Sequence, residues 1–149
     1  MKAARKGSCL ALSLAAALLL AACETPKVTK EEMDSVNYGP APAHWKEEIL
    51  SYLKLRLRDP SAAVVEFKSE PKQMFQKQVG LDPQQHGWAV CVWVRDKDRA
   101  GNWADTYPMT VFIRNEKIVT VNNGPDNFGP VGPAYARQQC KQLGAPFPN

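Results

Sequence analysis

Apolar and polar positions divide the chain into stretches of different period. Ser8 to Ala22 is largely apolar and rich in Ala and Leu. Glu24 to Ala43 is polar, carries Pro26, Pro40 and Pro42, and reads as a flexible tether. Twenty such residues span about 25 Å on average. From Pro42 to Asp59, Trp45, Ile49, Tyr52, Leu53 and Leu57 recur at helical spacing, which predicts an amphipathic helix. Pro42 suits an early helical position, and Pro60 stops the helix at Asp59. Leu50 widens the apolar face and Leu55 lies off it, so cover on more than one side is expected.

The period then changes. Ala63-Val64-Val65-Glu66-Phe67 reads as a short strand. Ser69 to Gln85 is ambiguous: Met74 and Phe75 suit an extended segment, while Gly80 and Pro83 mark turns. Gly87 to Arg95 is the strongest strand. Trp88, Val90, Val92 and Val94 point one way, and Ala89, Cys91 and Trp93 the other. Both sets are apolar, which places this strand centrally. Met109 to Ile113 and Ile118 to Val121 follow as strands, with Asn115-Glu116 as a tight hairpin between them. Asn122 to Pro133 is a Gly-rich loop, and Ala134 to Leu143 a last helix ended by Gly144. The sum is an α+β domain over residues 44–149. It has a small antiparallel sheet of three to five strands, an N-terminal helix, a C-terminal helix and one disulfide.

The first 23 residues carry an address. Lys2, Arg5 and Lys6 precede the apolar run, and small residues follow it, as in a secretory signal peptide. About 15 apolar residues are too few to span a bilayer core comfortably. Leu20-Ala21-Ala22-Cys23 resembles the lipobox of bacterial lipoproteins. That resemblance implies removal of residues 1–22 and acylation of Cys23, palmitate included, with residues 23–43 as the tether. More than one acyl chain is needed for stable anchoring, and a diacyl or triacyl Cys supplies that. Glu24, where an Asp tends to retain enteric lipoproteins at the inner membrane, points to the outer membrane.

Charge and cysteine content change meaning once the signal is set aside. The formal net charge is +4. Removing Lys2, Arg5 and Lys6 from 19 basic residues leaves 16 against 15 acidic ones. A nearly neutral chain without a basic stripe gives no support for nucleic-acid binding. Of the four cysteines, Cys9 leaves with the signal and Cys23 is acylated. Cys91 and Cys140 remain in an oxidising compartment, and a disulfide between them is expected. The rivals are two free thiols or a metal pair. No Cys-x-x-Cys exists, and His44 and His86 lack ligand-like spacing.

Leu57-Arg58-Asp59-Pro60-Ser61-Ala62 after an amphipathic helix resembles a Leu-Lys-Asp-Pro-x-Ser-Ala motif. That motif recurs in a family of small exported proteobacterial proteins. In those proteins a Cys-containing apolar strand follows, then a polar Asn-Ala-Lys-Asn-x-x-Gly-Gly-Tyr turn. Here Arg95-Asp96-Lys97-Asp98 replaces the first part of that turn and Gly101-Asn102-Trp103 the second. The resemblance covers much of 42–121. It implies the fold and export, and it carries no activity.

Candidate chemistry is sparse. Asp96-x-Asp98-x-x-Gly101 has the opening of a calcium loop, but Ala100 and Tyr107 stand where further ligands are needed. No metal site and no cofactor is expected. There is no Gly-x-Ser-x-Gly elbow. His44 lies at the helix start and His86 in a loop before the central strand, neither in a triad pattern. Glu47 and Glu48 read as a solvated face, and Glu66 stands alone. No catalytic residue is assigned. The surplus is aromatic: Trp103 and Tyr107 flank Asp105 beside the polar turn, and Phe128 sits in the Gly-rich loop. The connection 96–107 is longer than a hairpin needs. It is the candidate binding loop, with Asp96, Asp98, Arg99, Trp103, Asp105 and Tyr107 as its residues. The expectation is a lipid-anchored, non-catalytic structural or interaction module of the cell envelope. It would face the periplasm, held to the membrane through Cys23, with an envelope protein as partner. The alternative is a periplasmic inhibitor of an enzyme such as lysozyme, presenting the 96–107 loop.

Overall fold

The computed structural model describes residues 27–126 and 131–148. The expected signal peptide, Cys23 and Phe128 lie outside the described residues. The described elements, in chain order, are α1 (Lys30–Asp34), α2 (Trp45–Lys54), β1 (Val64–Phe67), β2 (Lys72–Gln76), β3 (Gln85–Arg95), β4 (Tyr107–Arg114), β5 (Lys117–Asn122) and α3 (Gly132–Gln142). No described helix is long and apolar enough to cross a membrane.

The sheet is antiparallel throughout, in the order β1-β3-β4-β5, with β2 also paired to β3. β1 pairs with the C-terminal half of β3, from Val92 to Arg95, and β2 with the N-terminal half, from Gln85 to Ala89. The two therefore form one interrupted edge. At the interruption the Ser69 hydroxyl accepts the Cys91 N–H at 2.9 Å, in place of a ladder carbonyl. The ambiguity over 69–85 resolves as β2 plus a turn closed by Val79 and Asp82. β2 escaped the sequence pattern because only Met74 among its residues is buried.

β3 is buried on both faces, as its alternation requires. Val90, Val92 and Val94 join Met109, Val111 and Ile113 of β4 beneath Trp45, Ile49 and Leu53 of α2. Ala89 and Cys91 join Met74, Phe112, Cys140 and Leu143 on the other side, under α3. Cys91 and Cys140 are disulfide-bonded and fully buried, which ties α3 to the central strand. Beside the disulfide lies a buried carboxamide cluster. Asn122 Nδ2 donates to Gln85 Oε1 and to Gln139 Oε1, each at 2.8 Å, and Gln139 Nε2 donates to Gln76. Buried amides without partners would cost stability; here four elements satisfy one another.

The helices differ from expectation in extent. α2 stops at Lys54 rather than Asp59, and Leu57 reaches the core from the following turn. Leu50 is 46% exposed and Leu55 82%, so α2 is covered on one side only among the described residues. The Asn115-Glu116 hairpin has φ values of 53° and 60°, both left-handed, as a two-residue turn matched to the strand twist demands.

Residues 27–43 correct the tether prediction: they pack on the domain. Thr29 and Glu32 form a reciprocal capping box that starts α1, and Lys77 of the sequence following β2 binds Glu32 at 2.9 Å. Tyr38 is buried edge-on to His86. Gly39, at φ 69°, lies so close to Asn115 that a Cβ would approach its Oδ1 to 2.5 Å. The Gly39 carbonyl accepts the Trp88 indole N–H at 3.1 Å. His44 gives α2 no side-chain cap. Glu116 supplies one from the hairpin, accepting the Ala43 N–H at 2.7 Å and the His44 N–H at 3.2 Å.

Two predictions follow from these ties. Replacing Cys91 and Cys140 together by Ser should cost roughly 2–5 kcal/mol in denaturant unfolding. A wild-type midpoint in the double variant would show that the bond adds nothing. Hydrogen bonds from the Ala43 N–H, then the His44 N–H, hold the Glu116 carboxyl below the usual range. Its contribution is complete above the unfolded value and is lost as pH falls through the folded one. Thermal melting of Glu116→Gln should therefore fall less steeply than wild type between about pH 5 and pH 3. Equal slopes would contradict the cap.

Candidate binding surface

The connection between β3 and β4 is built around Asp96. Its side chain is nearly buried and accepts the Arg58 N–H at 2.7 Å, the Lys97 N–H at 2.7 Å and the Asp59 N–H at 3.3 Å. Arg58 and Asp59 belong to the turn after α2. Asp59 returns the contact by binding Lys97 Nζ at 2.9 Å and accepting the Ser61 hydroxyl at 2.7 Å. The Asp59 carbonyl also accepts the N–H groups of Ala62 and Ala63, each at 3.0 Å. The Lys97 ammonium, then the Ser61 hydroxyl, hold the Asp59 carboxyl below its usual range. The segment 57–62 and the polar turn 95–98, some 38 residues apart, thus form one interlocked unit.

The remainder of the connection closes on itself. Asp98 Oδ1 accepts the N–H groups of Ala100 and Asn102 at 2.8 and 2.9 Å. The Asp98 N–H donates to the Asn102 carbonyl at 2.8 Å, and the Ala104 N–H to the Asp96 carbonyl at 3.0 Å. Lys97 and Trp103 form a one-residue bridge. Trp103 is 45% exposed and holds its ring beneath two cations, Arg95 at 5.0 Å and Lys97 at 5.6 Å. Arg95 is fixed in turn by donating to the Ala104 carbonyl at 3.2 Å. A half-exposed indole stacked against two cations offers its remaining apolar surface beside positive charge.

The sequence candidates separate into three groups. Asp98, Arg99, Trp103 and Asp105 are exposed. Asp96 is not: it holds the turn from beneath. Tyr107 belongs to β4 and packs against the α2-side core. Burial, and then the Asp96 charge, raise its phenol above the ordinary range. Trp103 and Tyr107 do not form one aromatic face. A cleft of about 260 Å³ lies beside the loop, lined by Arg56, Arg58, Asp96, Lys97, Ala104 and Tyr107. Arg56 was missed as a sequence candidate. It pairs with Asp126 at 2.7 Å, and Asp126 also accepts the Tyr52 hydroxyl at 2.7 Å. No local pattern marks Arg56, because its partner is 70 residues away.

His86 lies in β3 rather than in a loop. It is half-buried between Tyr38 and the guanidinium of Arg114. Burial, and then the Arg114 charge, lower its pKa. Among the described residues no group of three or more His, Cys, Asp or Glu is placed to hold a metal ion. Comparison with known proteins finds no matching family model, no matching curated protein and no matching solved structure.

The division of labour within the loop is testable by single substitutions. Asp96→Ala strands the Arg58 and Lys97 amides and should cost about 1–3 kcal/mol. Trp103→Ala should melt within about 0.5 kcal/mol of wild type, as substitutions away from structural features do. Unfolding by Trp103→Ala would place the indole in the core instead.

Proposed function

We propose that the protein is a lipid-anchored, non-catalytic interaction module of the bacterial cell envelope. The Leu20-Ala21-Ala22-Cys23 lipobox pattern supports the anchor, and acyl chains on Cys23 retain the domain at the outer membrane, facing the periplasm. The resemblance of 57–62 to a motif of exported proteobacterial proteins supports the same address. The observation that carries the interaction reading is the 96–107 surface. It is fixed from beneath by Asp96 and presents Trp103 stacked against Arg95 and Lys97. A fixed aromatic side chain beside positive charge suits protein recognition, because little side-chain freedom is lost on binding. The partner is an envelope protein.

The ordered loop with exposed Asp98 and Asp105 also favours a second reading, an inhibitor that offers this loop to the cleft of an enzyme such as lysozyme. A direct inhibition assay against purified lysozymes separates the two.

Two measurements test the main reading. Cys23→Ser should abolish acylation and release the processed protein from membranes. A processed variant that stays membrane-bound without acyl groups would refute the anchor. A photo-crosslinker at the exposed position 105 should join one envelope protein in intact cells and lose it when Trp103 is replaced by Ala and Arg95 by Glu. Crosslinks that ignore those substitutions would refute the surface.

A further inference from the structure

The sheet has three strands along its edges, and two of them are protected. On β5, Ile118 opposes Ile113 and Thr120 opposes Phe112, which leaves Val119 as a bulge that interrupts the edge beside Lys117. β2 has α1 against it, tied by Glu32 to Lys77. Bulges, charges and covering segments are the usual means by which edges are kept from pairing. β1 has neither a bulge nor a covering segment along its outer side among the described residues, and its charges, Glu66 and the adjacent Lys68, are paired with each other at 3.2 Å.

The phase of β1 is set by its last contact with β3. The Lys68 N–H donates to the Cys91 carbonyl at 2.9 Å. Val64 and Glu66 share that phase and turn their backbone groups to β3, whereas Val65 and Phe67 turn theirs outward. Among the described residues those outward groups have no backbone partner. Beside this edge lies an apolar groove of about 520 Å³, walled by Leu50, Leu53, Leu57, Pro60 and Val65, with Lys54 at its rim. Leu50 and Val64 are each 46% exposed. Lys46 lies toward the other end, over the rings of Trp45 and Phe67 at 4.9 and 5.9 Å. Eight residues of helix separate the two lysines by about 12 Å. Neither makes an ion pair among the described residues.

We propose that this edge binds an extended apolar segment of a partner protein, flanked by carboxylates, as an added strand beside β1. The segment's backbone would bond the outward groups of Val65 and Phe67. Its alternate side chains would enter the groove, and its carboxylates would meet Lys46 and Lys54. A second copy of the chain fits less well: antiparallel α2 helices meeting about Leu50 would set Lys46 of one against Lys54 of the other. The inference rests on the interaction-module reading and adds a surface to it, next to the loop that Asp59 and Lys97 hold.

The test uses a library of random linear 12-residue peptides, panned on the full chain as the cell processes it. Enriched peptides should alternate apolar residues beside Asp or Glu. Their affinity should fall more than tenfold in Leu50→Lys and in Val65→Pro, with cooperative melting kept. Pro at position 65 removes an outward donor and spares the bonds to β3, as edge prolines do. Lys54→Glu should weaken the same peptides, and Trp103→Ala should leave them unchanged. The proposal is overturned if no peptide is enriched, or if enriched peptides bind Val65→Pro as tightly as wild type. It is also overturned if wild type sediments as a dimer that Val65→Pro dissociates. Peptides lost in Trp103→Ala but kept in Val65→Pro would overturn it while leaving the loop surface intact. If Val65→Pro unfolds, Leu50→Lys with Lys54→Glu decides the question by the same criterion.

Discussion

Burying β3 on both faces is the constraint from which the rest follows. Val90, Val92 and Val94 need cover on one side, and Ala89 and Cys91 on the other. One helix cannot provide both, so α2 and α3 take one face each. α2 has a wide apolar stripe and docks by packing, with Glu116 capping its start and Asp126 holding Tyr52. α3 is more polar and buries little beyond Ala136, Gln139 and Cys140. The disulfide and the carboxamide cluster of Gln76, Gln85, Asn122 and Gln139 make up that deficit. They also fix α3 in one register, which undirected apolar contact does not do.

Rigidity at β3 is passed to its C-terminal end. The strand leaves the core at Arg95, and the next residue carries the carboxylate that binds the turn after α2. Asp96 therefore joins three things: the end of the central strand, the exit of α2 and the loop that bears Trp103. Backbone N–H groups are its partners, so the contact depends on chain position rather than on the partner side chains. A surface mounted in this way can present an aromatic ring without ordering a loop at each encounter.

Much of this frame is legible in the sequence, for identifiable reasons. The period-2 alternation of 88–94 marks β3 and its two faces. The hairpin at Asn115-Glu116 is local chemistry, and the cysteine pair follows from counting. The hidden parts are those made by distant pairs. β2 lacks a pattern because its edge position leaves most of it exposed. Residues 27–43 look like a tether because they are polar, yet Glu116, Lys77 and Trp88 hold them from far along the chain. Thr29-x-x-Glu32 is a local capping signal for α1 that the polar composition obscures. Within the candidate surface, spacing alone placed Tyr107 beside Trp103. It could not show that Tyr107 turns to the core, that Asp96 turns inward, or that Arg56 and Arg58 stand next to the loop.

The connection 96–107 is a fixed platform and not a mobile loop. Amide hydrogen exchange on the full chain measures this residue by residue. Arg58, Lys97, Asn102 and Ala104 should exchange slowly, with protection near that of Val94, because each N–H has a partner within the unit. Exchange at the rate of an unstructured peptide across 96–104, with β3 still protected, would contradict it.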